Sequence, residues 1–225
     1  MNIPGLRVIL AQLNWVPLEV AVLLFFFTGS VLVLVRDWRA SVGALLLQYL
    51  TLGFALTRLV RPEIAFVKLL VGLFICFMLY LSARQAGWRH RLTFWSHGLR
   101  ALLGPRTVAG EVFPPGRAFR LMATVLMAVA AFSLAQSYPI GGLPAAISVA
   151  VYWLSLVGLL ILMLTENPLK IGQGLLTGIA GFELWYTTLE GSLLLVGLWG
   201  VVNLLLALVV GYLAAVRGVI LEEDF

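Results

Sequence analysis

Charge is what this sequence has least of. Asp, Glu, Lys and Arg make up 11% of its 225 residues, where a soluble domain carries about 25%. So little charge cannot clothe a water-soluble surface. A soluble enzyme is excluded, as are a disordered tail and a nucleic-acid-binding module. Cysteine is nearly missing too: Cys76 stands alone within an apolar run, which rules out an internal disulfide. Both histidines, His90 and His97, fall in the connection 83–118, so no apolar run offers an imidazole to a buried haem or chlorin. No two Cys, His or carboxylates stand at metal-ligand spacing, and no P-loop, nucleotide fingerprint or nucleophile elbow is present. The reading is therefore of no catalytic residue, no metal and no cofactor. Only Arg7 precedes the first apolar run, and no small-residue cleavage site follows, so no removable signal peptide is expected.

What is present is hydrocarbon. Hydrophobic residues make up 62% of the chain, and membrane lipid is the expected solvent. About 20 apolar residues of helix cross the ~30 Å core of a bilayer, and seven segments qualify: 16–35, 41–60, 64–82, 119–137, 144–165, 171–189 and 192–215. Breaks of charge or turn chemistry divide them, among them Arg61-Pro62-Glu63, Tyr138-Pro139-Ile140-Gly141-Gly142 and Glu166-Asn167-Pro168. The prediction is an all-α integral membrane bundle. Its parts are a three-helix part over 1–82, a basic connection over 83–118 and a four-helix part over 119–225. Arg36, Arg39, Arg84, Arg89, Arg91, Arg100, Arg106, Arg117, Arg120, Lys170 and Arg217 flank one side, against Arg7, Arg58 and Arg61 on the other. Cytoplasmic flanks are the basic ones, so the N-terminus is expected outside and the C-terminus in the cytoplasm of a bacterial inner membrane. Within 83–118, Trp88, Leu92, Trp95, Leu99 and Leu102 recur at helical spacing, as in a short helix lying in the headgroup layer. A strut tying the two halves is the first reading of that helix, and a docking site the second. Ser41 to Gln48 through Gly53-Phe54 also resembles Lys170 to Thr177 through Gly181-Phe182, a faint internal repeat.

An ionisable side chain at the centre of a spanning helix costs about 2.5–3.5 kcal/mol, so those that persist mark cavities or partners. Lys68 and Glu183 are the sharpest candidates. By rise per residue, Lys68 lies ~7 Å to the outer side of the midpoint of its span and Glu183 ~5 Å to the outer side of its own. The two share a level. Either they pair in a hydrated pocket that binds or relays a proton, or Lys68 snorkels to the headgroups while Glu183 stays protonated. Gln48 and Asn203 lie mid-span, where hydrogen bonding between helices competes with a role in orienting water. Gly172, Gly174, Gly178 and Gly181 read as close-packing positions. The one intramembrane lysine lies on the third span rather than the seventh, which excludes a retinal protein.

Certain stretches resemble the hydrogenase-4 component E family, itself similar to the small complex I subunit known as chain 4L. They are Asp37-Trp38-Arg39 through Gln48, Phe66-Val67-Lys68 and Tyr80 through Arg84. Gln48 and Lys68 match the family pattern of a Gln after a basic turn and a Phe-x-Lys in the next helix. The stretch from Ile171 to Glu183 resembles the family's polar helix. The chain departs where Leu184 follows Glu183, and where Asn203 stands at a place usually acidic. The resemblance implies a non-catalytic membrane subunit beside antiporter-like subunits of a complex I-like or group 4 hydrogenase-like assembly. Lys68, Glu183, Gln48 and Asn203 would then lie on its proton or cation pathway. Two other readings stand beside it. One is a structural scaffold subunit. The other is a small stand-alone transporter, for which the spans lack the interior prolines of broken helices.

Overall fold

The computed structural model describes residues 18–35, 37–60, 62–100, 116–190 and 192–223, with side chains omitted over 85–100 and 217–223. The readings on Arg7, on the histidine side chains, on the apolar face from Trp88 to Leu102 and on residues 101–115 lie outside what is described. The described residues form seven helices: α1 (Leu18–Leu34), α2 (Trp38–Leu59), α3 (Pro62–Arg100), α4 (Arg117–Ser137), α5 (Ala145–Leu164), α6 (Pro168–Leu189) and α7 (Leu193–Glu223). Five are long and apolar enough to cross a membrane: α2, α3 over Pro62–Arg84, α4, α5 and α7 over Leu193–Val216. These helices make the chain an integral membrane protein. α1 is shorter, at 17 residues. α6 is long enough but falls outside the five, because it carries Lys170, Gln173 and Glu183 along with four glycines.

Local chemistry sets the ends. Asp37 caps α2 by accepting from the Arg39 backbone N–H at 3.1 Å, and Asn167 caps α6 by accepting from that of Leu169 at 3.1 Å, with Pro168 in the first turn. Both caps satisfy amides that a helix start leaves without partners. Gly142 turns the chain between α4 and α5 at a φ of 84°, in the left-handed region that favours glycine. α3 differs from the expected span and separate surface helix. Its backbone runs unbroken to Arg100, since no proline occurs between Ala83 and Arg100 to stop it.

The helices form two triplets. α1, α2 and α3 pack in sequence, α5, α6 and α7 likewise, and each helix of one triplet touches its counterpart: α1 on α5, α2 on α6, α3 on α7. α4 lies outside, against α5 and α1. Val71 meets Gly200 and Ser82 meets Gly211, 129 residues apart in each case. The Trp153 indole donates to the Phe25 carbonyl at 2.9 Å across a separation of 128, and Ser41 bonds Gln173 across 132. The faint sequence repeat has nearly the same offset, Ser41 to Lys170 and Gly53 to Gly181. Counterpart helices therefore run parallel and nearly level.

Close approach between helices is bought by glycine. A Cβ on Gly158 would lie 2.5 Å from the Gly178 nitrogen and 2.7 Å from the Gly174 carbonyl oxygen, so α5 and α6 touch backbone to backbone. Trp153 lies over Gly29 and stacks on Phe26 with ring centroids 4.3 Å apart, which joins α1 to α5. Lipid gives helices no hydrophobic reason to associate, so contacts of this kind carry the assembly.

At one end of the bundle two cations are buried. Lys170 donates to the carbonyls of Leu32 and Val35, each at 2.7 Å, and Arg120 to those of Val33 at 3.3 Å and Leu164 at 3.4 Å. They cap the C-termini of α1 and α5, where carbonyls lack partners and the helix dipole favours positive charge. The sequence reading counted both only as basic flanks. The structure makes them latches that tie α4 and α6 to α1. This end, which also carries Arg39, Arg84 and Arg117, is called the basic end below.

Candidate functional site

Between the triplets lies a charged cluster drawn from three helices. Lys68 Nζ on α3 forms an ion pair with Glu183 Oε1 on α6, and Asn203 Nδ2 on α7 donates to the same oxygen at 2.9 Å. Lys68 is 3% exposed, Glu183 1% and Asn203 1%. Withdrawing two opposite charges from water costs several kcal/mol per ion, so the pair persists only because its members face each other. Lys68 lies six residues into α3 and Glu183 six before the end of α6, about 9 Å inside the end opposite the basic one.

The backbone makes room for this. Gly72, one turn along α3 from Lys68, has no space for a Cβ, because the Tyr49 side chain of α2 lies 2.7 Å from where that atom would be. Tyr49 is thereby held 4% exposed, within electrostatic reach of Glu183. On the other flank Gly200, one turn before Asn203, lets α7 settle against Val71. Two close approaches thus bracket the ion pair and set its helix spacing.

Gln48 is buried at 1% exposure on α2, but the structure shows no hydrogen bond from it to Lys68, Glu183 or Asn203. Ser41, Gln173 and Thr177 form a second polar group, which sequence reading did not single out. Ser41 Oγ bonds Gln173 Oε1, and Thr177 lies one turn further along α6. Six buried atoms in this region have no partner: Gln48 Oε1, Tyr49 Oη, Gln173 Nε2, Thr177 Oγ1, Glu183 Oε2 and Asn203 Oδ1. An unmet buried polar group costs about 1–3 kcal/mol, so six together demand a reason. The seven-residue step from Ser41 to Gln48 and the four-residue step from Gln173 to Thr177 were the signal available beforehand. Each pair shares a helix face.

Chemically, the cluster can hold and pass a proton. Glu183 presents one oxygen engaged by two donors and one that is free, and hydroxyls of Tyr49 and Thr177 both donate and accept. Among the described residues, no three His, Cys, Asp or Glu side chains gather to hold a metal ion. A shallow apolar groove of about 450 Å³ opens on the outer face of α5 and α6, lined by Gly158, Gly174, Gly178, Phe182 and Trp199. None of Lys68, Glu183 and Asn203 lines it. No protein-family model matches the chain, and no curated protein or solved structure is significantly similar to it.

Proposed function

We propose that this chain is a non-catalytic membrane subunit that passes protons or a small cation through the Lys68–Glu183–Asn203 cluster. Its setting is a complex I-like or group 4 hydrogenase-like assembly with antiporter-like neighbours. The observation that carries the reading is the asymmetry of Glu183, with Oε1 held by Lys68 and Asn203 and Oε2 free. A carboxylate kept only for packing would engage both oxygens, since an orphaned one is costly. A proton arriving at Oε2 neutralises the carboxyl and weakens its hold on the Lys68 ammonium. That charge then drives the next proton away. Gln48, buried on α2, serves in this reading as a water-orienting amide.

In this reading all seven helices span the bilayer, α1 and α6 included, because protein and not lipid surrounds the polar face of α6. The basic end faces the cytoplasm of a bacterial inner membrane, as basic flanks do. Redox chemistry, if the assembly performs it, belongs to other subunits. The test is Glu183→Gln in the intact assembly, isolated in mild detergent and returned to vesicles. The variant is expected to assemble with its partners and to lose proton-coupled activity. Assembly with undiminished pumping, or isolation of the native chain alone, without antiporter-like partners, overturns the reading.

A further inference from the structure

We infer that the buried ion pair is hydrated from the basic end alone, through a water file between α2 and α6, and is sealed toward the opposite end although that end is nearer. α2 and α6 run parallel from the basic end. Ser41 and Gln173 are bonded, so positions seven beyond Ser41 and four and ten beyond Gln173 rise together from the basic end. Gln48 then lies ~10 Å above Ser41, Thr177 ~6 Å above Gln173 and Glu183 ~15 Å above it. Along that rise lie the unpartnered atoms of Gln173, Thr177, Gln48 and Tyr49, leading to the free oxygens of Glu183 and Asn203. No two of them satisfy each other.

The chemistry of the row selects its occupant. It mixes an amide donor (Gln173 Nε2), pure acceptors (Gln48 Oε1, Asn203 Oδ1, Glu183 Oε2) and hydroxyls that do both. Gln173 Nε2 offers a donor where a resident metal ion would need acceptors throughout, so the row is not built to hold one. Water donates and accepts in turn, needs two to four polar partners, and is the usual answer to buried polar groups left over by packing. α2 and α6 also touch more lightly than either flanking pair of counterparts, α1 with α5 or α3 with α7, so theirs is the loosest seam between the triplets.

Beyond the pair the pattern stops. Ala55 continues the Ser41–Gln48 face by the same seven-residue step and is fully buried. Leu52, Leu56, Ile64 and Leu184, at the same height or above, are each no more than 2% exposed. Among the described residues, the polar side chains buried there are Thr51, Ser148 and Thr187. Thr51 donates to the Leu47 carbonyl at 2.8 Å and Ser148 to that of Pro144 at 3.5 Å, and none of the three has a buried oxygen left without a partner. An apolar collar of this kind stays dry.

The inference rests on the same cluster as the proposed ion path, but its test reads water access and needs no proton movement. Failure of one therefore leaves the other to be judged separately. In a Cys76→Ala background of the full chain, single cysteines are placed as Gln48→Cys, Thr177→Cys and Ala55→Cys. The exposed markers are Ala40→Cys at the basic end and Tyr138→Cys at the other. Membrane vesicles of both orientations are treated with a small membrane-impermeant thiol reagent. Gln48→Cys and Thr177→Cys are expected to react only from the face that labels Ala40→Cys, at least about tenfold faster than Ala55→Cys, since only a hydrated thiol ionises and reacts. Ala55→Cys is expected to stay unlabelled from both faces. Two positions are probed so that one misfolded variant leaves the other to decide, with folding checked by monodisperse elution in detergent. Labelling from the Tyr138 face, or no labelling of either position from any face, overturns the inference.

Discussion

Removing the positive half of the ion pair is the most direct probe of how the site is held. Lys68→Met keeps the length and apolar stem of the side chain but leaves Glu183 buried at 1% exposure with only Asn203 as donor. Breaking a buried pair from one side costs about 3–5 kcal/mol, whereas removing both charges is often close to neutral. For a chain of this size each kcal/mol moves the midpoint of thermal unfolding by roughly 2–4 °C, so Lys68→Met is expected to lower it by at least about 6 °C. The double variant Lys68→Met with Glu183→Gln is expected to recover most of that loss, because the amide still accepts from Asn203 and no charge is stranded. The assay is thermal unfolding of the purified chain in one detergent, followed by tryptophan fluorescence, for the native chain, both single variants and the double. The readout is the coupling between the two positions. A coupling below about 0.5 kcal/mol, typical of independent sites, refutes the claim that the pair is desolvated and mutually dependent.

Two further predictions concern the frame around the site. Gly158→Ala forces a methyl against the backbone of Gly178 and Gly174 and should destabilise by about 1–3 kcal/mol, whereas Gly43→Ala, on an exposed face with open space around it, should stabilise by up to about 1 kcal/mol through helix propensity. The same unfolding assay separates them by sign. Lys170→Met deprives the Leu32 and Val35 carbonyls of their donor and should cost about 2 kcal/mol, with faster amide exchange in the last turn of α1 as the local signature.

Part of this molecule was legible in its sequence and part was not, for physical reasons. The seven apolar segments correspond to seven helices, five of them long and apolar enough to cross a membrane, and the depth arithmetic on Lys68 and Glu183 put them at the height where they meet. Asn203 joins them because mid-span amides need partners. The continuation of α3 to Arg100 was missed because an amphipathic period looks the same whether the helix is separate or attached. Tyr49 was missed because an aromatic in an apolar helix is indistinguishable from packing until Gly72 shows where its ring lies. Gln173 and Thr177 were hidden by the glycines around them, which announce close contact more loudly than polarity. Arg120 and Lys170 were placed at the right end but not as helix caps: a count of flanking charges says which end a cation is on, and nothing of whether it is buried there.

The distribution of packing explains how a bundle in lipid tolerates six unmet polar atoms at its centre. Helix association without a hydrophobic drive depends on close contact, and here the close contacts lie around the polar strip. The backbones of Gly158, Gly174 and Gly178 lock α5 to α6, Trp153 over Gly29 locks α1 to α5, and Val71 and Ser82 against Gly200 and Gly211 lock α3 to α7. The Arg120 and Lys170 latches close the basic end. With both flanks held, the α2–α6 seam need not be dry to keep the triplets together. Neutral substitutions on that seam, such as Thr177→Val, should then cost little stability, while those on the flanks cost much. If the seam proved as stability-critical as the flanks, its polar atoms would have to be packing elements, and the case for a conduit would fall with it.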